Sequence, residues 1–146
     1  MQITRQADYA LRAMLYLARE YPKKDERAAT SKIADEQEIP ASFLAKIISQ
    51  LSIAGLIQTS RGAKGGVRLA RKPEDISLLD VVEAIDGPIT LNECVPDPSV
   101  CAFGDNCPIH DIFFDAQAQL VRNLKAATFD KLLEMEKAKA KAKAEA

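Results

Sequence analysis

Ile39-Pro40 is the tightest local constraint in this sequence. Proline lacks the N–H that a helix interior uses, and the residue before it is driven out of the α region. The pair therefore separates two helical stretches. The earlier one, Ser31 to about Glu38, buries Ile33 and Ala34, with Thr30 or Ser31 as its cap. The later one runs from Ala41 to Ala54 and carries Phe43, Leu44, Ile47, Ile48 and Leu51 as its apolar stripe. Pro40 sits at its start, where the missing N–H costs nothing, and Gly55 signals its end.

What flanks this pair narrows the fold further. Before it, Thr4 to Tyr21 reads as a helix with Ala10, Met14, Leu17 and Tyr21 on one face and Leu11, Leu15 and Ala18 beside them. Pro22 and the run Lys23-Lys24-Asp25-Glu26-Arg27 end it in a solvated loop. After the pair, Leu56–Ser60 and Val67–Ala70 are two short strand-like runs about Arg61-Gly62-Ala63-Lys64-Gly65-Gly66, which reads as a β-hairpin.

A fourth helix starts at Ile76-Ser77, with Ser77 and Asp80 at capping-box spacing. Leu79, Val82 and Ile85 face inward, and Gly87-Pro88 stops it. The proline-rich stretch 88–109 reads as a long irregular loop, a kind usually functional or disordered. From about Ile109, the residues Ile109, Phe113, Ala116, Leu120, Leu124 and Ala127 recur at helical spacing. A break is expected near Thr128, which can cap a further helix through Leu132, Leu133 and Met135. Lys137–Ala146 is an Ala/Lys repeat without an apolar face, expected to be a frayed helix or a disordered tail. The chain is thus mainly α with a small β-hairpin.

The formal net charge of −1 conceals a division. Residues 1–72 hold 13 Lys and Arg against 7 Asp and Glu, a net of +6; residues 73–146 hold 7 against 14, a net of −7. Such a split suggests that the first half meets a polyanion. No apolar run is long enough to span a bilayer, so no membrane partner is expected. The beginning of the chain lacks a signal-peptide core, which places the protein in the cytoplasm. No nucleophile–base constellation, phosphate loop or nucleotide fingerprint is present, so the chain does not read as an enzyme.

Helix, short helix, sharp turn, helix and hairpin form the order of a winged helix-turn-helix. In that arrangement the second helix of the pair enters the major groove, its first residues near base edges. Here those are Ala41, which can touch a thymine methyl, Ser42, which can bond base or phosphate, and Lys46 one turn on. Gln50 lies deeper and can face elsewhere. At the hairpin tip, Gly62 lets the backbone approach closely, Arg61 suits a narrow minor groove, and Lys64 suits a phosphate. Arg5, Arg68 and Arg71 are further phosphate candidates. A solvated β-turn with ordinary surface charges is the alternative for the hairpin alone.

The loop carries the only three cysteines, Cys94-x6-Cys101-x5-Cys107, followed after two residues by His110, the only histidine. Three cysteines within 14 residues point to metal or redox chemistry rather than a disulfide framework. Wide spacings suit an iron–sulfur cluster, which prefers thiolates and normally needs four ligands; His110, a carboxylate or a second chain would supply the fourth. A zinc site of three Cys and one His, and a redox thiol pair, remain alternatives.

Several stretches together resemble one family. They are Met1-Gln2-Ile3-Thr4 with Asp8-Tyr9-Ala10-Leu11-Arg12-Ala13, then Ile47-Ile48-Ser49-Gln50-Leu51, Ala54-Gly55-Leu56, Arg61-Gly62 with Gly65-Gly66, and Asp80-Val81-Val82-Glu83-Ala84-Ile85 before the cysteines. They resemble the iron–sulfur and nitric-oxide responsive winged-helix regulators of IscR and NsrR type, over nearly the whole chain to about residue 136. The resemblance implies a homodimer paired through the long C-terminal helix and a roughly palindromic operator. It implies an iron–sulfur cluster, [2Fe-2S] or [4Fe-4S], on Cys94, Cys101 and Cys107, with zinc the lesser choice. The first cysteine gap is one residue longer than the family's common spacing. Some relatives complete the cluster with a histidine at the position of His110, others with an acid at the position of Asp8 from the partner subunit. An acid in the first turn is also what the helix dipole favours. At Ala45 some relatives carry an acid that helps choose between operators, a choice this chain lacks. The expected division is a DNA-binding region 1–72, a dimerisation region 73–136 with the cofactor loop at 88–110, and the tail 137–146.

Overall fold

The computed structural model describes residues 2–21, 23 and 27–146, with Asp105 described by its backbone alone. The loop expected over Pro22 to Arg27 therefore falls largely outside the described residues. The elements are α1 (Arg5–Glu20), α2 (Thr30–Glu36), α3 (Ala41–Ile53), β1 (Ile57–Ser60), β2 (Gly66–Leu69), α4 (Leu78–Asp86), α5 (Pro108–Ala126) and α6 (Phe129–Glu145). Short 3-10 turns lie at Pro73–Asp75, Pro98–Val100 and Gly104–Asn106.

α1 is the central helix. Tyr9, Ala10, Ala13, Met14, Tyr16, Leu17 and Ala18 are buried, more than one stripe, because α3, α4, α6 and β2 all pack against it. Tyr21, expected on its apolar face, is exposed just beyond the last turn. Thr4 caps the start: its hydroxyl accepts from Ala7 N–H at 3.1 Å and donates to Asp86 at 2.5 Å, which joins the beginning of α1 to the end of α4.

α2 begins one residue earlier than expected. Ala29 is its N-cap and gives no side-chain bond; Thr30 and Ser31 lie inside the helix. Ala28 explains the shift. Its N–H donates to Val67 O at 2.9 Å and its carbonyl accepts from Val67 N–H at 2.8 Å, so a one-residue bridge holds the chain extended right up to the helix. Between α2 and α3, Glu38 takes a φ of +52°, which turns the chain toward Pro40.

On α3, Leu44, Ile47 and Leu51 are buried, Ile48 is half-buried, and Phe43 is 41% exposed, its ring edge-on to Tyr9 with centroids 6.0 Å apart. Gly55, φ +75°, closes α3, and Leu56 N–H returns to Leu51 O at 3.0 Å. The hairpin is antiparallel, in the register Ile57 with Leu69 and Ser60 with Gly66.

Ser77 and Asp80 form the expected capping box on α4. The inward residues are Leu79, Val81 and Val82; Val81 is fully buried, while Ile85 is only half-buried. One core cluster takes in Met14, Leu44, Val67, Ile76, Val81 and Phe129, so α4 and α6 close the same core as α1 to β2. The α5–α6 joint is bonded to the start of α4: Leu78 N–H donates to Ala127 O at 2.9 Å and Phe129 N–H to Ile76 O at 3.0 Å. Thr128 stands at the N-cap of α6, yet its hydroxyl bonds to the Asp130 carboxylate and not to a backbone N–H. α6 then runs to Glu145, so the Ala/Lys repeat is helical, as the high helix propensity of both residues favours. No described helix is long and apolar enough to cross a membrane.

Candidate nucleic-acid interface and cysteine loop

α3 and the hairpin meet across a groove of ≈ 810 Å³. Its α3 wall includes Ala41, Ala45, Ser49 and Ser52; its hairpin wall includes Thr59, Ser60, Arg61, Gly62, Gly65 and Gly66; Thr30 and Ser31 close one end. The buried side of α3 is set by Leu44, Ile47 and Leu51, so residues offset from these by about a third to half a turn point outward. Ser42 and Lys46 are exposed on that outward side. Lys64 is exposed at the hairpin tip, and Arg5 is exposed on the first turn of α1, away from the residues lining the groove. Among the described residues, Lys46, Arg61 and Lys64 have no acidic partner within 4.0 Å.

The hairpin tip is tight for a definite reason. A Cβ at Gly65 would lie 2.3 Å from Ser60 O, and one at Gly66, φ +142°, would lie 2.5 Å from Ala28 O. Both glycines are needed for the backbone to close. Arg68 is engaged across the strands, donating to Gln58 Oε1 at 3.0 and 3.2 Å. Gln50 is half-buried, and its Oε1 is buried without a hydrogen-bond partner. Thr30, Ser31, Ser49, Ser52, Thr59 and Ser60 also line the groove, a role the sequence reading gives to none of them; the i, i+4 spacing Ala41, Ala45, Ser49 opposite the buried Leu44, Ile47 and Leu51 is the signal that points to Ser49.

The cysteine loop leaves the core at Gly87 and returns at Pro108. Leu91 N–H donates to Gln117 Oε1 at 2.9 Å, and Val95 is buried, so the loop is pinned to α5 at its beginning. All three cysteines are free and half-buried. Asn92 Nδ2 donates to Cys94 Sγ at 3.5 Å. Asp97, between the first two cysteines, accepts from the Ser99 hydroxyl at 2.5 Å and the Ser99 N–H at 3.1 Å, which holds its carboxyl below the usual carboxylate range. Cys107 is the N-cap of α5, and His110 lies in its first turn. The His110 Nδ1 is buried and without a hydrogen-bond partner. Asp8, the other fourth-ligand candidate, is exposed and paired with Arg12 at 2.6 Å. The donor chemistry, three free thiols and an unpartnered imidazole nitrogen, fits a thiolate-held metal or cluster. Among the described residues, no three His, Cys, Asp or Glu side chains are grouped to hold an ion.

A two-helix unit about a sharp turn, a hairpin beside it and a shared groove define a winged-helix DNA-binding protein. The model of the Rrf2 family, described as "Iron-dependent Transcriptional regulator", matches residues 3–135, and the chain belongs to this family. Its members are transcription regulators and not enzymes. The chain is 32% identical over 134 residues to the HTH-type transcriptional regulator NsrR of Shouchella clausii, covering 91% of this chain and 89% of that protein. It is 32% identical over 117 residues to NsrR of Bacillus subtilis, covering 80% and 79%. Among solved structures, the fold matches CymR, the global cysteine regulator of B. subtilis, with a TM-score of 0.78 at 24% identity, covering 92% of this chain and 98% of that one. It also matches T. potens IscR with a TM-score of 0.74 at 22% identity, covering 93% and 88%.

Proposed function

We propose that this chain is a cytoplasmic, homodimeric repressor that binds a pseudo-palindromic double-stranded operator, and whose affinity is tuned at the cysteine loop. The observation that carries the DNA side is the shared groove, with Ala41 on one wall and Arg61 and Gly62 on the other. Ser42 and Lys46 extend the α3 contact; Lys64 and Arg5 add phosphate contacts. Residues 1–72 take the DNA, residues 73–136 pair the subunits and carry the loop at 88–110, and 137–146 form the tail. This is a division of labour, since the packing core is shared across it.

In this reading, Cys94, Cys101, Cys107 and His110 hold an iron–sulfur cluster. The unpartnered Nδ1 supports His110, and the existing ion pair of Asp8 counts against Asp8. When bound, such a cluster supplies a centre sensitive to nitric oxide, redox state or iron supply. The chain supplies the linkage. Cys107 caps α5 and His110 sits on its first turn, α5 packs on α4, and the far end of α5 is bonded through Ala127 to Leu78 at the start of α4. Ordering the loop therefore biases the helix that sets how two DNA-binding regions are spaced.

A zinc site or a thiol switch is the second reading; the thiol switch needs only two of the three free cysteines and no grouped donor set. Anaerobic purification with iron, sulfide and zinc assay separates the two. A coloured protein with iron and sulfide supports the cluster; a colourless, zinc-loaded one refutes it. Duplex binding titrated with salt tests the DNA side, where a steep loss of affinity is expected.

A further inference from the structure

The outward side of α3 is poor in side chains that read base pairs through paired hydrogen bonds. As far as Ser49 it exposes Ala41, Ser42, Phe43, Ala45, Lys46 and Ser49, and of these Phe43 is turned to the flank, its ring edge-on to Tyr9 of α1. Ile53 is also exposed, at 85%, but stands ~18 Å along the axis from Ala41, beyond the turns that meet base edges. Discrimination in the major groove leans on Arg or Lys with guanine, Asn or Gln with adenine, and Asp or Glu with cytosine. The exposed set holds no Arg, Asn, Asp or Glu. Gln50 is withdrawn: the adenine pairing needs its carbonyl oxygen and its amide together, and the oxygen is buried. Lys46 is left as the single cation of the helix.

What α3 does offer is two methyl side chains one turn apart, Ala41 and Ala45, both on the groove wall. The base feature that a methyl matches is the thymine C5-methyl. The hairpin points the same way. Arg61 is its one groove-lining cation, and it is carried on a tip narrowed by Gly62, φ +102°, and Gly65. A narrow minor groove, with its enhanced negative potential, is a property of A·T tracts and attracts such an arginine.

We propose that this chain reads its operator mainly through A·T pairs. Thymine methyls lie against Ala41 and Ala45 in the major groove, an A·T-rich minor groove takes Arg61, and each half-site holds at most one guanine contact, under Lys46. The inference rests on the DNA-binding reading above and adds the base composition of the site.

The test uses the wild-type protein. A pool of random duplexes is enriched for binding, and the selected site is resynthesised with uracil for thymine, or with 7-deazaguanine for guanine. The expected site is A·T-rich in each half. Each uracil over α3 weakens binding by about fourfold, the value of one buried methyl, while 7-deazaguanine acts at one position or none. In the flanking minor groove, inosine·cytosine pairs, which lack the protruding amino group, replace A·T pairs without loss, and guanine·cytosine pairs do not. Arg61→Ala removes that difference. A G·C-rich site sensitive to 7-deazaguanine, or an A·T-rich site indifferent to uracil, overturns the proposal. Failure of the DNA-binding reading looks different: no sequence is enriched and no salt-sensitive duplex binding is seen.

Discussion

Asp8 and Arg12 stand one turn apart on α1, with the Asp8 carboxylate 2.6 Å from Arg12 Nη2. Arg12 also lies over the Tyr9 ring, 5.2 Å from its centroid, and donates to Gln37 O at 3.4 Å. The pair thus belongs to a local cluster that steadies the turn before α3. Asp8 has work to do within its own subunit, whereas His110 Nδ1 has no partner at all. An exposed ion pair contributes at most about 1 kcal/mol, so the pairing biases Asp8 away from a ligand role without locking it there.

This asymmetry sets the first prediction. In anaerobically purified protein, His110→Ala shifts the visible absorption bands and lowers bound iron, and Asp8→Ala leaves both unchanged. The opposite pattern makes Asp8 the fourth ligand and sinks the assignment to His110.

The wing gives the second. Gly65→Ala places a methyl 2.3 Å from Ser60 O, a backbone atom that cannot move aside cheaply. The tip must rearrange, while the core, which it does not enter, stays packed. Duplex affinity should fall on the order of tenfold or more, since both hairpin contacts are displaced, with a thermal midpoint close to wild type. Equal losses of affinity and of stability would show that the tip is part of the fold and not of the contact surface.

Much of this arrangement was legible in the sequence. Ile39-Pro40, Gly55 and the Ser77/Asp80 box each force a local geometry whatever the tertiary context, and each is found where the residues require it. What was not legible depended on distant partners. The bridge of Ala28 to Val67 joins residues 39 apart and moved the start of α2 to Thr30. Val81 is buried because α1 lies over α4, a packing that helical periodicity read from α4 alone does not contain. Thr59 and Ser60 are ordinary strand residues until α3 is set against them.

Glu38 supplies the third prediction. An L-residue at φ +52° costs about 1 kcal/mol or more relative to glycine, partly offset by the greater freedom of glycine in the unfolded chain. Glu38→Gly should raise stability by about 0.5 kcal/mol. Chemical denaturation measures it; a loss of stability would mean that the Glu38 side chain contributes more than its backbone strain costs.

Asp130 supplies the fourth. The Thr128 hydroxyl donates to its carboxylate and holds it below the usual carboxylate range. A lowered folded-state pKa contributes stability above the unfolded value, and the contribution is lost as pH falls through the folded value. Thr128→Val removes the donor. The variant should therefore be less stable than wild type at neutral pH, with the difference shrinking as pH falls below about 4. A constant difference across that range would assign the loss to packing at the α5–α6 joint.

α5 is the clearest case of a surface that one chain leaves incomplete. It is a 19-residue helix with an apolar stripe, and none of its residues is buried. Ile109 and Ile112 are 61% and 66% exposed, and Phe113 and Phe114 stand with them on the first two turns. A contiguous apolar surface of this kind is a poor face to show to water and a good one to pair with a second copy. Because Phe113 packs into no core within its own chain, Phe113→Asp should leave the monomer folded, with its helical signal retained. It should convert the protein from dimer to monomer in sedimentation equilibrium. Operator affinity should then drop on the order of 10²-fold, because two half-sites are no longer bound together. A variant that stays dimeric would move the subunit interface off the first turns of α5. A monomeric variant with undiminished affinity would separate pairing from operator recognition, leaving the loop no helix through which to act on the DNA.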